Sequence, residues 1–232
     1  GYIKLNRFAA SSADEFRDAL AKLKKQGMKN LILDLQGNGG GYLNIAIELA
    51  DEFLDKDKLI VYTEGSKQPR DEAKSTVKGN FEEGRLVVLV DESSASASEI
   101  LSGAVQDWDR GVVVGRRTFG KGLVQKPIPM PDGSMIRLTV ARYYTPTGRS
   151  IQKHYENGKL EDYQHDLIDR YNRGELMSAD SIHFPDSMKY NTLETKRIVY
   201  GGGGIMPDVF IPVDTTRYTG YHRNLVARGL VN

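Results

Sequence analysis

A layered α/β fold is what this chain predicts, and three observations predict it. Short apolar runs of buried-strand type recur at residues 31–35, 59–63, 86–90 and 112–114. Between them, apolar residues return at helical spacing: Phe16, Leu20 and Leu23, then Leu43, Ile47, Ala50 and Leu54. Strand and helix therefore alternate, the pattern of a sheet with helices packed on it.

Taken in order, residues 2–8 alternate like a strand. Ser12-Ala13-Asp14-Glu15 is a capping-box signature that opens a helix, and Gly27 is its stop. After the strand at 31–35, Gly37-Asn38-Gly39-Gly40-Gly41 turns the chain into a second helix. A strand follows at 59–63. Residues 65–83 are polar and without period, and read as a surface excursion. The run at 86–91 is apolar enough for a strand covered on both faces. A helix is expected from about Ser96 to Trp108 and a strand at 112–115. A hairpin of residues 123–128 and 135–144 is expected around Pro131-Asp132-Gly133. Beyond Ile151 the chain turns polar, with one helix at about 162–171. Four glycines at 201–204 then lead back to an ordered apolar stretch. The organisation expected is a core over residues 1–212, interrupted by an insertion at about 153–200 and followed by an extension at 213–232.

Composition narrows the function classes. The 232 residues are 39% hydrophobic and 27% charged, an ordinary globular balance. A net charge of +1 gives no electrostatic case for nucleic acid or an anionic membrane. No apolar run approaches the roughly 18 residues needed to span a bilayer. With no cysteine, disulfides, thiol catalysis and cysteine zinc sites are excluded. The start at Gly1-Tyr2-Ile3-Lys4-Leu5, strand-like and without a leader, reads as the middle of a longer protein.

The chemistry concentrates in two segments. Asp91-Glu92-Ser93-Ser94-Ala95-Ser96-Ala97-Ser98-Glu99 follows a buried strand and opens a helix. Thr118-Phe119-Gly120-Lys121-Gly122 sets a lysine on a glycine-flanked turn. A serine nucleophile must be exposed and fixed, must lose its proton to a base, and needs donors for an oxyanion. No histidine lies near, so Lys121 is the nearby candidate base for Ser96. A free lysine, with a pKa of about 10.4, is a poor base at neutral pH, and burial is what favours its neutral form. The apolar strands flanking Lys121 are expected to supply that burial. Gln125, four positions on in an extended segment, can face Lys121 and orient its amine. The helix start leaves the Ala97 N–H free, and the glycine turn at 37–41 can supply a second donor.

These blocks resemble the C-terminal processing peptidases, or tail-specific proteases, of the Clp protease/crotonase superfamily. Asp34-Leu35-Gln36-Gly37-Asn38-Gly39-Gly40-Gly41, Ser94-Ala95-Ser96-Ala97-Ser98-Glu99 and Thr118-Phe119-Gly120-Lys121-Gly122-Leu123-Val124-Gln125 match three family motifs in order. Residues 142–152 and 204–208 match later ones. The family's Asp-Leu-Arg carries Gln36 in place of arginine here. The resemblance implies a layered β-β-α superhelix with a polar C-terminal insertion. It makes Ser96 the nucleophile, Lys121 the base and Gln125 its orienting group. The amides of Gly41 and Ala97 become the oxyanion donors, and Asp107 a possible supporting acid. It implies protein or peptide substrates with nonpolar C-terminal tails and no metal or organic cofactor. A possible homo-oligomer, a periplasmic, cell-envelope or secreted location and an upstream PDZ domain absent from these residues also follow from it.

Blander readings compete. Ser96-x-x-Glu99 is equally a capping box, and on that tetrapeptide alone structure outweighs catalysis. Residues 115–121 nearly spell a P-loop, but Gly122 supplies no hydroxyl for magnesium and no helix follows. The glycines at 37–41 fit a dinucleotide turn only loosely. His154, His165, His183 and His222 read as solvated surface, and Tyr143 and Tyr144 as strand packing. Two rival functions remain: a binding or scaffold module with an idle dyad, and a crotonase-like acyl-CoA enzyme. Neither needs Lys121 or Gln125.

Overall fold

The computed structural model describes residues 1–76, 78–155, 160–214 and 221. In chain order its elements are β1 (Tyr2–Lys4), α1 (Ser12–Lys25), β2 (Leu31–Asp34), α2 (Leu43–Asp51), β3 (Leu59–Gly65), β4 (Gln68–Lys74) and β5 (Leu86–Val90). There follow α3 (Ala97–Asp107), β6 (Val112–Gly115), β7 (Leu123–Pro129), β8 (Met135–Tyr144), α4 (Leu160–Asn172), β9 (Lys189–Asn191), β10 (Ile198–Tyr200) and β11 (Val209–Phe210).

Five strands form the main sheet in the order β1-β2-β5-β6-β11, every pair parallel. Parallel neighbours need long crossovers, which is why helices alternate with them in the sequence. Leu31, Leu33, Leu86, Val88, Val90 and Val113 are buried from the sheet side. Phe16 and Leu20 of α1 join them, with Ile45, Ala46 and Leu49 of α2. Phe53 meets Phe16 and Phe81 edge-on, with centroids 5.6 and 6.4 Å apart. The strand at 86–90 is not covered on both faces. Leu86, Val88 and Val90 are buried, whereas Val87 and Leu89 are half-buried. Alternation decided their burial, although the residues are uniformly apolar.

A second, antiparallel sheet has the order β4-β3-β8-β7. β4 occupies part of the expected surface excursion. Its Gln-Pro-Arg-Asp-Glu-Ala-Lys sequence leaves most side chains exposed, so no apolar period marks it; main-chain pairing with β3 makes it a strand. The β7–β8 hairpin projects, with residues 125–139 all exposed.

α3 is the central helix, with all eleven residues buried. Small side chains permit this. A Cβ on Gly103 would stand only 2.9 Å from the Thr145 side chain. Residues 153–200 carry α4 and the β9–β10 hairpin, after which β11 pairs with β6 and returns the chain to the main sheet. Among the described residues no helix is long and apolar enough to cross a membrane.

Candidate active site

The site forms where β2 and β5 end and α3 begins. After β5, the Asp91 carboxylate accepts from the N–H groups of Gly37, Ser93 and Ser94, at 3.0 Å each. The Ser94 hydroxyl donates to Leu35 O at 2.8 Å. Fully buried Asn38 ties the glycine turn to the start of α3. Its side chain donates to Leu5 O and accepts from Gly40 N–H, and its carbonyl accepts from Ala95 N–H and the Ser98 hydroxyl. The contact is close enough to require glycine. Gly40 has φ +98°, and a Cβ there would lie 2.7 Å from Ala95 O and 2.8 Å from Ser96 Cβ.

Ser96 sits at the turn from this loop into α3 with φ 56° and ψ −110°. A non-glycine residue at positive φ is uncommon and costs on the order of 1–3 kcal/mol. Such a turn raises a side chain out of the surface while its neighbours stay buried, and Ser96 is partly exposed between buried Ala95 and Ala97. Ala97 is the first residue of α3, so its N–H has no intrahelical partner. Neither Gly41 N–H nor Ala97 N–H is engaged by another described residue.

The lysine turn reaches the same place through Glu99. This carboxylate is wholly buried and accepts four bonds. Oε1 takes the Thr118 hydroxyl and Gly120 N–H, each at 2.6 Å. Oε2 takes Ser96 N–H and Lys121 N–H, each at 2.8 Å. The backbone nitrogens of Ser96 and Lys121 thus share one oxygen and lie no further apart than twice that distance. Burial pushes the Glu99 carboxyl upward, and the hydrogen bonds from Thr118, Lys121, Gly120 and Ser96 pull against it. The ionised form fits this set. Thr118 Oγ1 already accepts from Ile205 N–H, so its proton is directed at Glu99.

Ser96, Lys121, Gly39, Gly40 and Gly41 line one cleft of about 590 Å³, together with Asn6, Arg7, Phe8, Tyr42 and Arg137. Among the described residues no acidic side chain lines it. Among the described residues Arg7, Lys121 and Arg137 form no ion pair.

Three expectations change. Lys121 is exposed, not buried, because β7 leaves the core after Gly122 and joins the projecting hairpin. Gln125 does not line the cleft. It is exposed and pairs with Thr139 beyond a register shift at Val124 and Gln125, which breaks the simple alternation that would align it with Lys121. Asp107 stands at the far end of α3, roughly 16 Å along the axis from Ser96. It is buried, paired with Arg149, and accepts from Thr147 N–H and hydroxyl. His154, His165 and His183 are exposed; His222 lies outside the described residues.

A strained serine thus stands at a strand-to-helix turn of an α/β core, in one cleft with free amides and a glycine-flanked lysine. Residues 1–164 match peptidase family S41, and the chain belongs to that family. It is 46% identical over 153 residues to the carboxyl-terminal-processing protease of Picosynechococcus sp., covering 66% of this chain and 36% of that protein. It is 39% identical over 162 residues to the "Probable CtpA-like serine protease" of Staphylococcus aureus (strain N315), covering 68% and 31%. Among solved structures, the photosystem II D1 C-terminal processing protease superposes with a TM-score of 0.66 at 30% identity, covering 91% of this chain and 42% of that one. The layered core is of the Clp protease type. The chain spans about a third of the length of these curated relatives.

Proposed function

We propose that residues 1–212 form the proteolytic core of a serine endopeptidase with Ser96 as nucleophile and Lys121 as base. Lys121 Nζ takes the hydroxyl proton as Ser96 Oγ attacks the scissile carbonyl. The oxyanion of the tetrahedral intermediate accepts from Gly41 N–H and Ala97 N–H. The C–N bond breaks and the leaving amine takes the proton from Lys121, leaving an ester on Ser96. Lys121 then deprotonates a water that releases the product acid.

The observation that carries this reading is the shared Glu99 oxygen, which ties the backbones of Ser96 and Lys121 together. The exposure of Lys121 fits a base that acts only once the cleft is filled. The proposed substrates are proteins or peptides cut near nonpolar C-terminal tails. Arg7 and Arg137, which form no ion pair among the described residues, support this, because the end of a chain brings its own carboxylate. Gln125 is proposed to meet Lys121 only when the hairpin closes on substrate. We assign Asp107 to scaffolding. From the family resemblance alone we propose work at the cell envelope or outside it, within a longer protein that carries a PDZ domain.

The test is active-site labelling. A fluorophosphonate should modify Ser96, and Ser96→Ala should abolish it. Lys121→Ala should lower both labelling and peptide cleavage by about 10³-fold or more. Equal cleavage by the parent and Ser96→Ala would end the reading.

A further inference from the structure

We propose that Arg170, on α4 of the insertion, is a positioning residue for the base and holds the lysine turn from behind. This rests on the Ser96/Lys121 reading above. The N–H groups of the turn are held from the core: Gly120 and Lys121 donate to Glu99, and Phe119 donates to Ser94 O at 3.0 Å. Its carbonyls face the other way. Arg170 Nη2 donates to Arg117 O at 2.6 Å, and Nη1 to Thr118 O at 3.0 Å. The turn is therefore clamped between a carboxylate on one side and a guanidinium on the other.

The fork geometry matters. Two consecutive carbonyls fix two peptide planes at once, and only a planar guanidinium reaches both. The peptides fixed lie just before Gly120, which has φ +89° and no side chain to restrict it. Rotation there would swing Lys121 relative to Ser96. Arg170 is 2% exposed and so spends its donors inward. Burial and the neighbouring Arg117 lower its pKa to about 10, against Asp166 and Glu175, so it stays charged at neutral pH. Glu175 lies 3.4 Å from both Arg170 Nε and Arg117 Nη1 and balances the pair.

A second grip runs alongside. Lys153 Nζ lies 4.3 Å above the Phe119 ring and 4.2 Å from the Tyr163 ring, and donates to Tyr163 O and to Asp166. Phe119 precedes Lys121 by two residues. α4 thus reaches the turn directly through Arg170 and indirectly through Lys153, which bridges Phe119 to Tyr163 and Asp166. Arg170 lies beyond residues 1–164, which the family match covers.

The test uses Arg170→Met and Arg170→Lys, with two readouts. Amide exchange of Gly120 and Lys121 should rise at least about tenfold in Arg170→Met while residues 86–90 keep parental protection. Fluorophosphonate labelling of Ser96 should slow by about tenfold to a hundredfold, with KM for a peptide nearly unchanged. Arg170→Lys, which keeps the charge and one donor, should fall between. Where the methionine variant fails to fold, the lysine variant carries the same two measurements. Parental exchange and parental labelling in a folded variant overturn the proposal. A parent that fails to label defeats the protease reading, while the exchange measurement still decides the clamp.

Discussion

The two ends of α3 use the same device for different purposes. At each end, buried carboxylates accept hydrogen bonds from distant loops. At the N-terminus, Glu99 holds the backbones of Ser96, Gly120 and Lys121, with no cation among the described residues paired to it. At the C-terminus, Asp107 is matched by Arg149 and Asp109 by Arg197. The helix dipole explains the contrast. Partial positive charge at the N-terminus favours a carboxylate there, whereas an acid at the C-terminus sits against partial negative charge and needs a counter-ion. Among the described residues no arginine pairs with Glu99, and that end of the helix opens on the cleft. The other end is stapled shut.

Glu99→Gln gives the largest expected effect on activity. The amide would turn an N–H₂ toward groups that are themselves donors, which costs about 1–3 kcal/mol of stability. Displacement of the dyad should lower kcat/KM by about a hundredfold. A folded Glu99→Gln with parental turnover would break the comparison, because the N-terminal carboxylate would then be scaffolding too. Asp107→Asn should act on stability alone. Arg149 would lose its buried partner, at about 3–5 kcal/mol, seen as a lower denaturant midpoint. Labelling per folded molecule should stay near the parental rate; a selective loss of activity would move Asp107 into the site.

Asp109 gives the smallest effect and a sign that can be checked. Burial pushes its carboxyl up, but bonds from Thr195, Arg197 and Thr192 outweigh this and bring it from 3.8 to about 2. A lowered folded value stabilises the protein above the unfolded pKa, and that stability disappears as pH falls through the folded one. Urea midpoints should therefore drop between about pH 4 and pH 2 in the parent, and less steeply in Asp109→Asn. Identical slopes would show that this end of α3 is not stapled by its charge.

Much of this was legible in the residues. The alternation of apolar runs gave the layered strands and helices, and the glycine, serine and lysine segments do meet at one cleft. What escaped depends on distance along the chain. Ser96-x-x-Glu99 declares a capping box, but Glu99's bonds to Thr118, Gly120 and Lys121 span 19–22 residues and leave no periodic trace. Asn38 looks like one more turn residue until it meets Ala95 and Ser98. Lys121 was expected to be buried because apolar residues flank it. Burial is decided by where a strand goes, and β7 leaves the core. β4 stayed hidden because its pairing is made by main chain, which composition does not encode.

Ser96 occupies a torsion where glycine would rest at ease. A chain with glycine there would be the sturdier molecule and would have nothing to attack with. Ruggedness and reactivity therefore compete at a single backbone angle, and the dense packing of α3 is what lets the fold carry the reactive choice.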